Sequence, residues 1–290
     1  LYYGVFVQYE APISPPAGVF FPSGTLVKGN KIGTNAAGSA ALPNKDGGVL
    51  VGLSTNTTIG GTSAADPNER NVISGNRNIN SFGVAIEDYP IAVDAVQRTI
   101  GAVVQNNWIG IDASGTTALP NRPVGVLMRN HIRGARVGPG NVISGNGNPA
   151  TSNGGFGVLM EITSSDVTNS RQANSNEISG NLIGTAPDGN GGFAFQDTGI
   201  QLHGATTANV IKNNRITANQ VAGVELLPNT GTNGPSANTI QDNQIGVTVA
   251  GGTPGNGTVG VQLVGIGNVV GPGNDIAGHA RSGIDISVSQ

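Results

Sequence analysis

The sequence contains no cysteine and is poor in charged and aromatic residues. Of its 290 residues, 11% are charged and 4% aromatic, and the formal net charge is -3. Without cysteine there is no disulfide framework and no cysteine-ligated metal site. The charge balance is unlike that of nucleic-acid-binding proteins, which carry basic patches. No apolar run reaches the roughly 18 residues of a membrane-spanning helix. We therefore predict no nucleic-acid partner, no membrane span, no metal and no cofactor.

Glycine and asparagine are abundant instead. The chain has 47 glycines and 33 asparagines, and glycine is about twice its average frequency of roughly 7%. Both residues are weak helix formers. The hydrophobic fraction of 37% is nevertheless too high for a disordered chain of low net charge. This composition predicts an all-β protein with short strands and many turns.

Two motifs recur along the chain, and eight copies of one alternate with eight copies of the other. Eight copies of the triplet Asn-x-Ile follow one another 29–41 residues apart, beginning at Asn30, Asn71, Asn107, Asn141, Asn181, Asn214, Asn243 and Asn274. Each triplet is followed by Gly-[Val/Ile]-x-apolar, beginning at Gly48, Gly83, Gly125, Gly157, Gly199, Gly223, Gly260 and Gly283. Regular self-similarity of this kind is typical of repeat architectures, in which stacked repeats bury one continuous core. The sequence therefore predicts about eight stacked coils.

The repeats also alternate in the length of one connection. Long connections lie in every second repeat, at residues 34–47, 111–124, 185–198 and 247–259. A third apolar position precedes most triplets, which gives three short strands in each coil. We assign this position to Val27, Ile59, Ile100, Val137, Ile178, Ile211, Ile240 and Val269.

The recurring asparagines predict a ladder inside the coil. Asparagine amides that stack in register can bond along the column, as they do in cross-β structures. The column from Asn30 to Asn274 is therefore the candidate for an internal ladder at one turn. A ligand-binding role for this column is the weaker alternative.

The pattern resembles the right-handed parallel β-helix repeats of secreted bacterial proteins in the pectin-lyase-like superfamily. The resemblance depends on segments such as 71–76 (NVISGN), 141–146 (NVISGN) and 181–185 (NLIGT), and it extends over roughly residues 24–288. It implies the fold but no single activity, because the superfamily includes lyases, hydrolases, epimerases, adhesins and shafts. The fold expected is a right-handed parallel β-helix (β-solenoid) formed by residues 24–290.

Residues 1–23 differ in composition from the repeats. Six of the 12 aromatic residues lie in the first 21, and they include Tyr2, Tyr3, Phe6 and Tyr9. Because the open end of a β-helix must be protected, this segment is predicted to cap the N-terminal end or to add as a strand to another subunit. The C-terminal strand, with Ile284 and Ile286, lacks a polar cap and is the candidate partner surface.

One column of the repeats collects charge. Four residues after successive Gly motifs stand Glu87, Arg129, Glu161 and His203. The outward Leu50, Leu127 and Leu159 could form an apolar platform beside them, and Asp88, His131, Arg133, Arg136 and Asp166 are close in sequence. Carboxylates and arginine in this arrangement could act on an acidic polysaccharide. Alternating signs are also what a salt-bridge ladder needs, and this is the interpretation that we favour.

The sequence therefore leaves three functions open. The first is a secreted structural subunit at the cell surface or in an extracellular filament, whose copies stack head to tail through residues 1–22. Such heterologous contacts build open filaments. The second is a polysaccharide lyase, hydrolase or epimerase that uses the charged column, and the third is a carbohydrate-binding adhesin that uses the same face. The absence of a convincing catalytic motif favours the structural role.

Overall fold

The structure is a computed structural model, and it describes residues 2–9, 21–63, 66–78, 81–88, 99–147, 154–163, 172–193, 195–229 and 234–287. These residues contain no helix, and therefore none that could span a membrane. They form strands β1 (Tyr3–Gln8), β2 (Leu26–Val27), β3 (Lys31–Ile32), β4 (Gly47–Gly52), β5 (Thr58–Ile59), β6 (Val72–Ile73), β7 (Ser81–Glu87), β8 (Val103–Val104), β9 (Trp108–Ile109), β10 (Pro123–Arg129), β11 (Arg136–Val137), β12 (Val142–Ile143), β13 (Phe156–Glu161), β14 (Ala173–Asn174), β15 (Glu177–Ser179), β16 (Leu182–Ile183), β17 (Thr198–His203), β18 (Thr206–Thr207), β19 (Val210–Lys212), β20 (Arg215–Ile216), β21 (Ala222–Leu227), β22 (Thr239–Gln241), β23 (Gln244–Ile245), β24 (Val259–Leu263), β25 (Val269–Val270), β26 (Asp275–Ile276) and β27 (Ser282–Ile286).

The strands form three long parallel sheets that wind around one core. The long-strand sheet has the order β1-β4-β7-β10-β13-β17-β21-β24-β27. The second sheet has the order β2-β5-β8-β11-β15-β19-β22-β25, and the third sheet has the order β3-β6-β9-β12-β16-β20-β23-β26. Strands β14 and β18 form a separate short pair. Each coil contributes one strand to each sheet, so the protein is a right-handed parallel β-helix, as the sequence predicts.

The core consists of side-chain columns that run along the rod. In the third sheet every inward position is isoleucine, and the six interior ones are fully buried: Ile73, Ile109, Ile143, Ile183, Ile216 and Ile245. In the long-strand sheet alternate residues point inward, so Val126 and Met128 are buried in this main core. Because each coil covers the inward faces of its neighbours, the interior coils need no other layer.

The inward column of the second sheet corrects two of the sequence assignments. Val104, not Ile100, faces the core beside Ile59 and Val137, and Val270, not Val269, continues the column after Ile240. Val104 is fully buried, whereas Ile100 is 42% and Val269 51% exposed. Val269 and Val270 are adjacent apolar residues, which hides the inward–outward alternation of so short a strand. Ile100 lies before β8 and bridges Thr55 and Arg133 instead.

The asparagine column is one continuous hydrogen-bonded ladder. From Asn30 to Asn274, each side-chain Nδ2 donates to Oδ1 of the next asparagine at 2.9–3.1 Å. The interior amides also donate to backbone carbonyls of the preceding coil, as Asn107 does to Ile59 O at 2.8 Å. Ile59 O also accepts from Gln105 N at 2.9 Å, so the amide adds a second bond to this carbonyl while its own polar atoms are satisfied inside the protein.

Two further ladders were not predicted. One runs along Asn44, Asn76, Asn121, Asn146, Gln196, Asn219 and Asn256, and it ends at His279. The other spans only the later coils, at Asn176, Asn209, Asn238 and Asn268. At this turn the left-handed backbone conformation is adopted by the residue that directly precedes a first-ladder asparagine, as in Asn106 (φ 53°) and Asn213 (φ 54°). Polar ladders therefore stabilise each corner of the later coils.

The first strand belongs to the repeat pattern. β1 pairs in parallel with β4, with Val5 opposite Val49 and Val7 opposite Val51. Gly4-Val5-Phe6-Val7 is thus the ninth copy of the Gly-[Val/Ile]-x-apolar motif in the long-strand sheet, hidden in the sequence by the surrounding aromatic residues. The domain division at residue 23 stays a prediction, because residues 10–20 lie outside the described residues.

Long connections stack on one side of the rod. Three of them close as hairpins with antiparallel bridges, Thr34–Ala41, Ile111–Ala118 and Thr185–Gly192. The hairpins contact each other across two coils, since Ala113 N donates to Gly38 O at 2.9 Å and Val249 N donates to Gly189 O at 3.1 Å. The alternation of repeat length therefore creates a ridge with a two-coil period.

Candidate functional site

The charged column lies in one register row of the long-strand sheet. Arg129 is directly opposite Glu87 on one side and Glu161 on the other. His203 follows Glu161 in the same row, and Leu227 follows His203. The sequence therefore brings these four side chains together on consecutive coils, about 4.8 Å apart along the sheet.

Arg129 bonds to both glutamates. Its Nε donates to Glu161 Oε1 at 2.8 Å, and its Nη1 donates to Glu87 Oε1 at 3.2 Å. The Arg129 side chain is 37% exposed, whereas the side chains of Glu87 and Glu161 are 7% and 16% exposed. The guanidinium thus lies between two sheltered carboxylates and neutralises much of their charge.

Burial dominates the electrostatics of Glu87. Desolvation raises the pKa of this carboxyl above its ordinary value, the Arg129 charge opposes the shift, and the charge of Glu161 adds to it. A carboxyl with a raised pKa beside an arginine has the character of a general acid. A carboxylate that is buried in a purely structural ion-pair network also has a perturbed pKa, so the raised pKa of Glu87 does not by itself define a catalytic site.

The other charged residues near the column separate into different environments. Asp88 and His131 are buried, with exposures of 1% and 8%. Arg136 lies on the second sheet, where its Nη2 is 3.8 Å from Glu177 Oε1, and Arg133 is exposed. Asp166 lies outside the described residues. The described part of the chain contains no group of three His, Asp or Glu side chains that could hold a metal ion.

The apolar platform beside the column faces outward but is buried. Leu50, Leu127 and Leu159 point away from the main core and are only 1–8% exposed. They belong to a second hydrophobic cluster with Phe82, Ala85 and Val124, against which Tyr3 and Phe156 pack. These leucines therefore stabilise an outer layer and do not offer an open surface. Sequence reasoning missed this layer, because outward leucines alone do not reveal what covers them.

The outer row becomes polar towards the C-terminus. Gln201 follows Leu159 in register, and Glu225 follows Gln201. Glu225 Oε2 accepts hydrogen bonds from Thr198 Oγ1 at 3.0 Å and from Gln201 Nε2 at 2.8 Å. This carboxylate is 8% exposed and is held by neutral donors.

Two recesses elsewhere on the rod are small and open. One of about 280 Å³ is lined by residues of the third sheet and the preceding turn, including Leu182, Arg215 and Gln244. Another of about 400 Å³ lies at the N-terminal end, where Gly4, Lys31, Ile32 and Asn44 contribute to its lining. Neither recess is lined by the charged column.

Trp108 is held by its neighbours on the third sheet. The Arg70 guanidinium carbon lies 4.1 Å from the centre of the indole ring. A Cβ added at Gly115 would lie 2.9 Å from Trp108 Cη2, so the hairpin at 111–118 also covers the ring. Trp108 thus packs beneath a loop and an arginine.

The aromatic residues of the N-terminal segment lie around β1. Tyr3 stacks on Phe6 and Phe82 with ring centroids 5.3 and 6.0 Å apart. Lys45 Nζ lies 4.5 Å from the Tyr2 ring, and Tyr9 meets Phe21 edge to face at 5.0 Å. Tyr2 and Phe6 remain 63% and 42% exposed.

At the opposite end of the rod the last coil leaves apolar side chains exposed. Ile284 and Ile286 continue the inward columns of Val261 and Leu263. Their exposures are 46% and 77%, whereas Val261 and Leu263 are 0% and 7% exposed.

The comparison with solved structures supports the fold. No family model and no curated protein matches the sequence. The structure is similar to that of the Agl-KA catalytic domain, with a TM-score of 0.52 and 15% identity over 99% of this chain and 45% of the other. It also matches the periplasmic alginate epimerase AlgG (TM-score 0.43, 14% identity, 85% and 51% coverage) and the Dettilon tailspike protein gp208 (TM-score 0.42, 17% identity, 92% and 56% coverage). The chain spans about half the length of these proteins. At 15% identity, the likeness to the Agl-KA catalytic domain shows the fold alone, a parallel β-helix.

Proposed function

We propose that the protein is a structural subunit of an extracellular assembly, in which β-helical rods stack end to end and β1 is the joining strand. The observation that carries this proposal is the open last coil, where Ile284 and Ile286 are 46% and 77% exposed. In every interior coil the equivalent positions are buried by the next coil. Another coil on this end would bury the same side chains at about 25 cal/mol per Å² of apolar surface.

The unpaired backbone at both ends supports stacking. Among the described residues, β1 and β27 are the outermost strands of the long-strand sheet, and each pairs with one neighbour only. An unpaired strand edge is a template for another strand. Parallel addition at such an edge supplies main-chain hydrogen bonds, while the apolar columns supply the packing.

The side of the rod gives further support. Arg129 donates hydrogen bonds to both glutamates of the charged column, and the leucines beside the column are buried in the outer cluster. The ion pairs of Arg129 with Glu87 and Glu161 strengthen the contact between three successive coils. Such contacts suit a rod that must resist bending. The resemblance of the repeats to those of secreted bacterial proteins supports a location outside the cell.

The test is assembly of the 290-residue chain, measured by sedimentation velocity and electron microscopy over a range of concentrations. We expect rods that lengthen with concentration. Replacing Ile284 and Ile286 together by lysine should abolish elongation, because two charges would be buried at the contact. Val249→Lys is the matched control, since Val249 is 58% exposed on the side of the rod, and it should assemble normally. Monomers at every concentration would refute the proposal.

A second candidate function is action on, or binding of, an acidic polysaccharide at the charged column. The raised pKa of Glu87 beside Arg129 favours it. The fold is compatible with such a site, since the similar Agl-KA structure is a catalytic domain. Product release from a panel of uronic-acid polymers, lost in Arg129→Ala and Glu161→Ala, would establish an enzyme. Binding without product would establish an adhesin.

A further inference from the structure

The corner between the second and third sheets is interrupted by one insertion. Twelve residues separate β5 from β6, whereas two to four residues separate the corresponding strands of the other coils. We call residues 66–70 (DPNER), at the end of this insertion, the corner loop. Pro67 and Asn68 of this loop are exposed. The corner loop therefore projects from a corner that is otherwise formed by short turns.

The corner loop is held in one shape by its own bonds and by the preceding coil. Asn68 N donates to Asp66 Oδ1 at 2.9 Å. Gly29 N donates to Glu69 O at 3.1 Å, and Lys28 pairs with the Glu69 carboxylate. A preorganised segment loses less conformational entropy when it binds. The loop is thus suited to dock into a complementary surface.

The same corner is recessed on three later coils. The recess of about 280 Å³ is lined by Gly180 and Leu182 on the first of these coils, by Asn213 and Arg215 on the second, and by Asp242 on the third. Asp242 lies five coils from the corner loop, about 24 Å along the rod. The corner therefore carries one projection and one hollow at different heights.

The recess contains two charges that are held by neutral groups. Arg215 Nη1 donates to Val247 O at 3.5 Å, and its Nη2 donates to Gln244 Oε1. Asp242 Oδ2 accepts from Gln241 Nε2 at 3.1 Å. Over the described ranges, neither Arg215 nor Asp242 makes an ion pair. The recess therefore offers one cation and one anion to a partner.

Arg70 and Asp242 occupy equivalent positions of the repeat. Each directly precedes an asparagine of the first ladder, Asn71 in one case and Asn243 in the other. A two-fold axis that crosses the rod midway between them relates the coil of β6 in one copy to the coil of β23 in another. In this antiparallel arrangement each corner loop lies over the recess of the other copy, and Arg70 lies opposite Asp242. The six coils involved are all interior coils, so the match is independent of the ends of the rod.

Small residues occupy the centre of this arrangement. Besides the ladder asparagines, the corner consists of Gly138, Pro139 and Gly140 on one central coil and of Gly180 on the other. Glycine lets two backbones approach closely. Pro139 is exposed and would pack against Gly180 of the second copy. The two corners can therefore meet along their length without a clash of long side chains.

We propose that the rod pairs side by side with a second copy in antiparallel orientation, and that each corner loop docks into the recess of the other copy. Arg70 pairs with Asp242 of the second copy, and Asp66 brings a carboxylate towards Arg215 of the second copy. An arginine has five N–H donors, so Arg70 can bind this carboxylate while it stacks on Trp108. The contact is isologous and therefore closes with two copies. It goes beyond end-to-end stacking and does not depend on it, because the corner lies on the side of the rod.

Charge reversal tests the contact in the full chain that carries Ile284→Lys and Ile286→Lys, in which a dimer can form only at the side. We expect a dimer in sedimentation velocity that weakens as salt is added, because exposed charges are screened. Asp242→Arg should weaken this dimer about 100-fold, since like charges would cost about tenfold at each of the two symmetric contacts. Adding Arg70→Asp should restore it.

The matched control is Arg133→Glu. Arg133 is an exposed residue at the other edge of the second sheet, where it bridges Ile100 and Asn174. Its charge reversal leaves the corner unchanged. We expect this variant to dimerise normally.

Engineered cysteines test the antiparallel register without any change at the ends of the rod, because the chain has no cysteine of its own. In the variant Asn68→Cys with Gln244→Cys, the two thiols of one chain are about 24 Å apart. Antiparallel pairing brings each thiol close to the other thiol of the second copy. A short bis-maleimide should therefore give a closed covalent dimer, and neither single variant should give one in comparable yield.

The outcomes separate lateral pairing from end-to-end stacking. Loss of the dimer in Asp242→Arg, its return in the double variant and a closed covalent dimer support lateral pairing. Monomers without the charge reversal, a dimer that survives Asp242→Arg, or equal crosslinking of the single variants overturn it. Elongation of the unmodified chain tests end-to-end stacking separately, so either proposal can fail while the other holds.

Discussion

Arg129 and Glu161 occupy the same register position on adjacent strands, and Arg129 Nε donates to Glu161 Oε1 at 2.8 Å. Nη1 of the same guanidinium donates to Glu87 Oε1 at 3.2 Å. One arginine thus links the carboxylates of the coils on either side of it, and its removal tests how much of the stability depends on these ion pairs.

Replacing Arg129 by methionine should destabilise the protein. The change keeps most of the apolar stem but leaves the buried Glu87 carboxylate without its charged partner. We expect the free energy of unfolding to fall by about 1–3 kcal/mol at pH 7, as measured by urea denaturation. Arg136→Met is the control, because Arg136 is exposed and 3.8 Å from its carboxylate partner. An equal loss in both variants would contradict a special role for Arg129.

Glu87→Gln should change how stability depends on pH. Because burial raises the pKa of Glu87 in the folded protein, the folded state holds this proton more tightly than the unfolded chain. The contribution of the Glu87 carboxyl to the free energy of unfolding is fully present below its ordinary pKa, and it is lost as pH rises through the higher pKa of the folded protein. Stability of the wild type relative to Glu87→Gln should therefore fall across that window, measured as Tm against pH.

Glu177→Gln should change the pH dependence of stability in the opposite direction. Burial acts to raise the pKa of Glu177, but the hydrogen bond from Ser179 and the bond and charge of Lys212 outweigh it and lower the pKa. Its contribution is present above the ordinary pKa and is lost as pH falls through the folded value. Identical pH slopes for the Glu87 and Glu177 variants would be inconsistent with these environments.

Asn107→Ala should remove a central member of the first ladder. Asn107 Nδ2 donates to Asn141 Oδ1 and to Ile59 O, and its Oδ1 accepts from Asn71. Loss of the amide leaves buried groups unsatisfied, at about 1–3 kcal/mol. Asn30→Ala, at the exposed end of the same ladder, should cost less. Urea denaturation of the two variants compares them, and an equal cost would contradict the larger contribution expected from the buried amide.

Gly125→Ala tests the close approach between coils. A Cβ at Gly125 would lie 2.7 Å from Gly157 O and 2.8 Å from Ile143 Cγ2. Because backbone cannot move aside as a side chain can, we expect a loss of about 1–3 kcal/mol. In the same column, a Cβ at Gly283 would lie 3.5 Å from its nearest neighbour, so Gly283→Ala should have almost no effect. Thermal denaturation distinguishes the two.

The repeats allowed the fold and the first ladder to be predicted, because the eight Asn-x-Ile triplets from Asn30 to Asn274 recur once in each coil. The second ladder escaped detection since Gln196 and His279 replace asparagine and the connections around Asn44 and Asn121 vary in length. Gly4 escaped because its aromatic surroundings suggested a separate element. The burial of Leu50 and Leu127 could not be inferred at all, since a strand's alternation shows which side a residue faces and not what lies above it.

The stacked hairpins impose a rule on how such a rod can change length. Each hairpin contacts another hairpin two coils away, not one, as the bond from Ala113 N to Gly38 O shows. Loss or gain of a single coil would place a hairpin beside a short corner and break the ridge. Duplication or deletion by pairs of coils preserves every contact, so genetic lengthening or shortening of the rod is expected to proceed in two-coil steps.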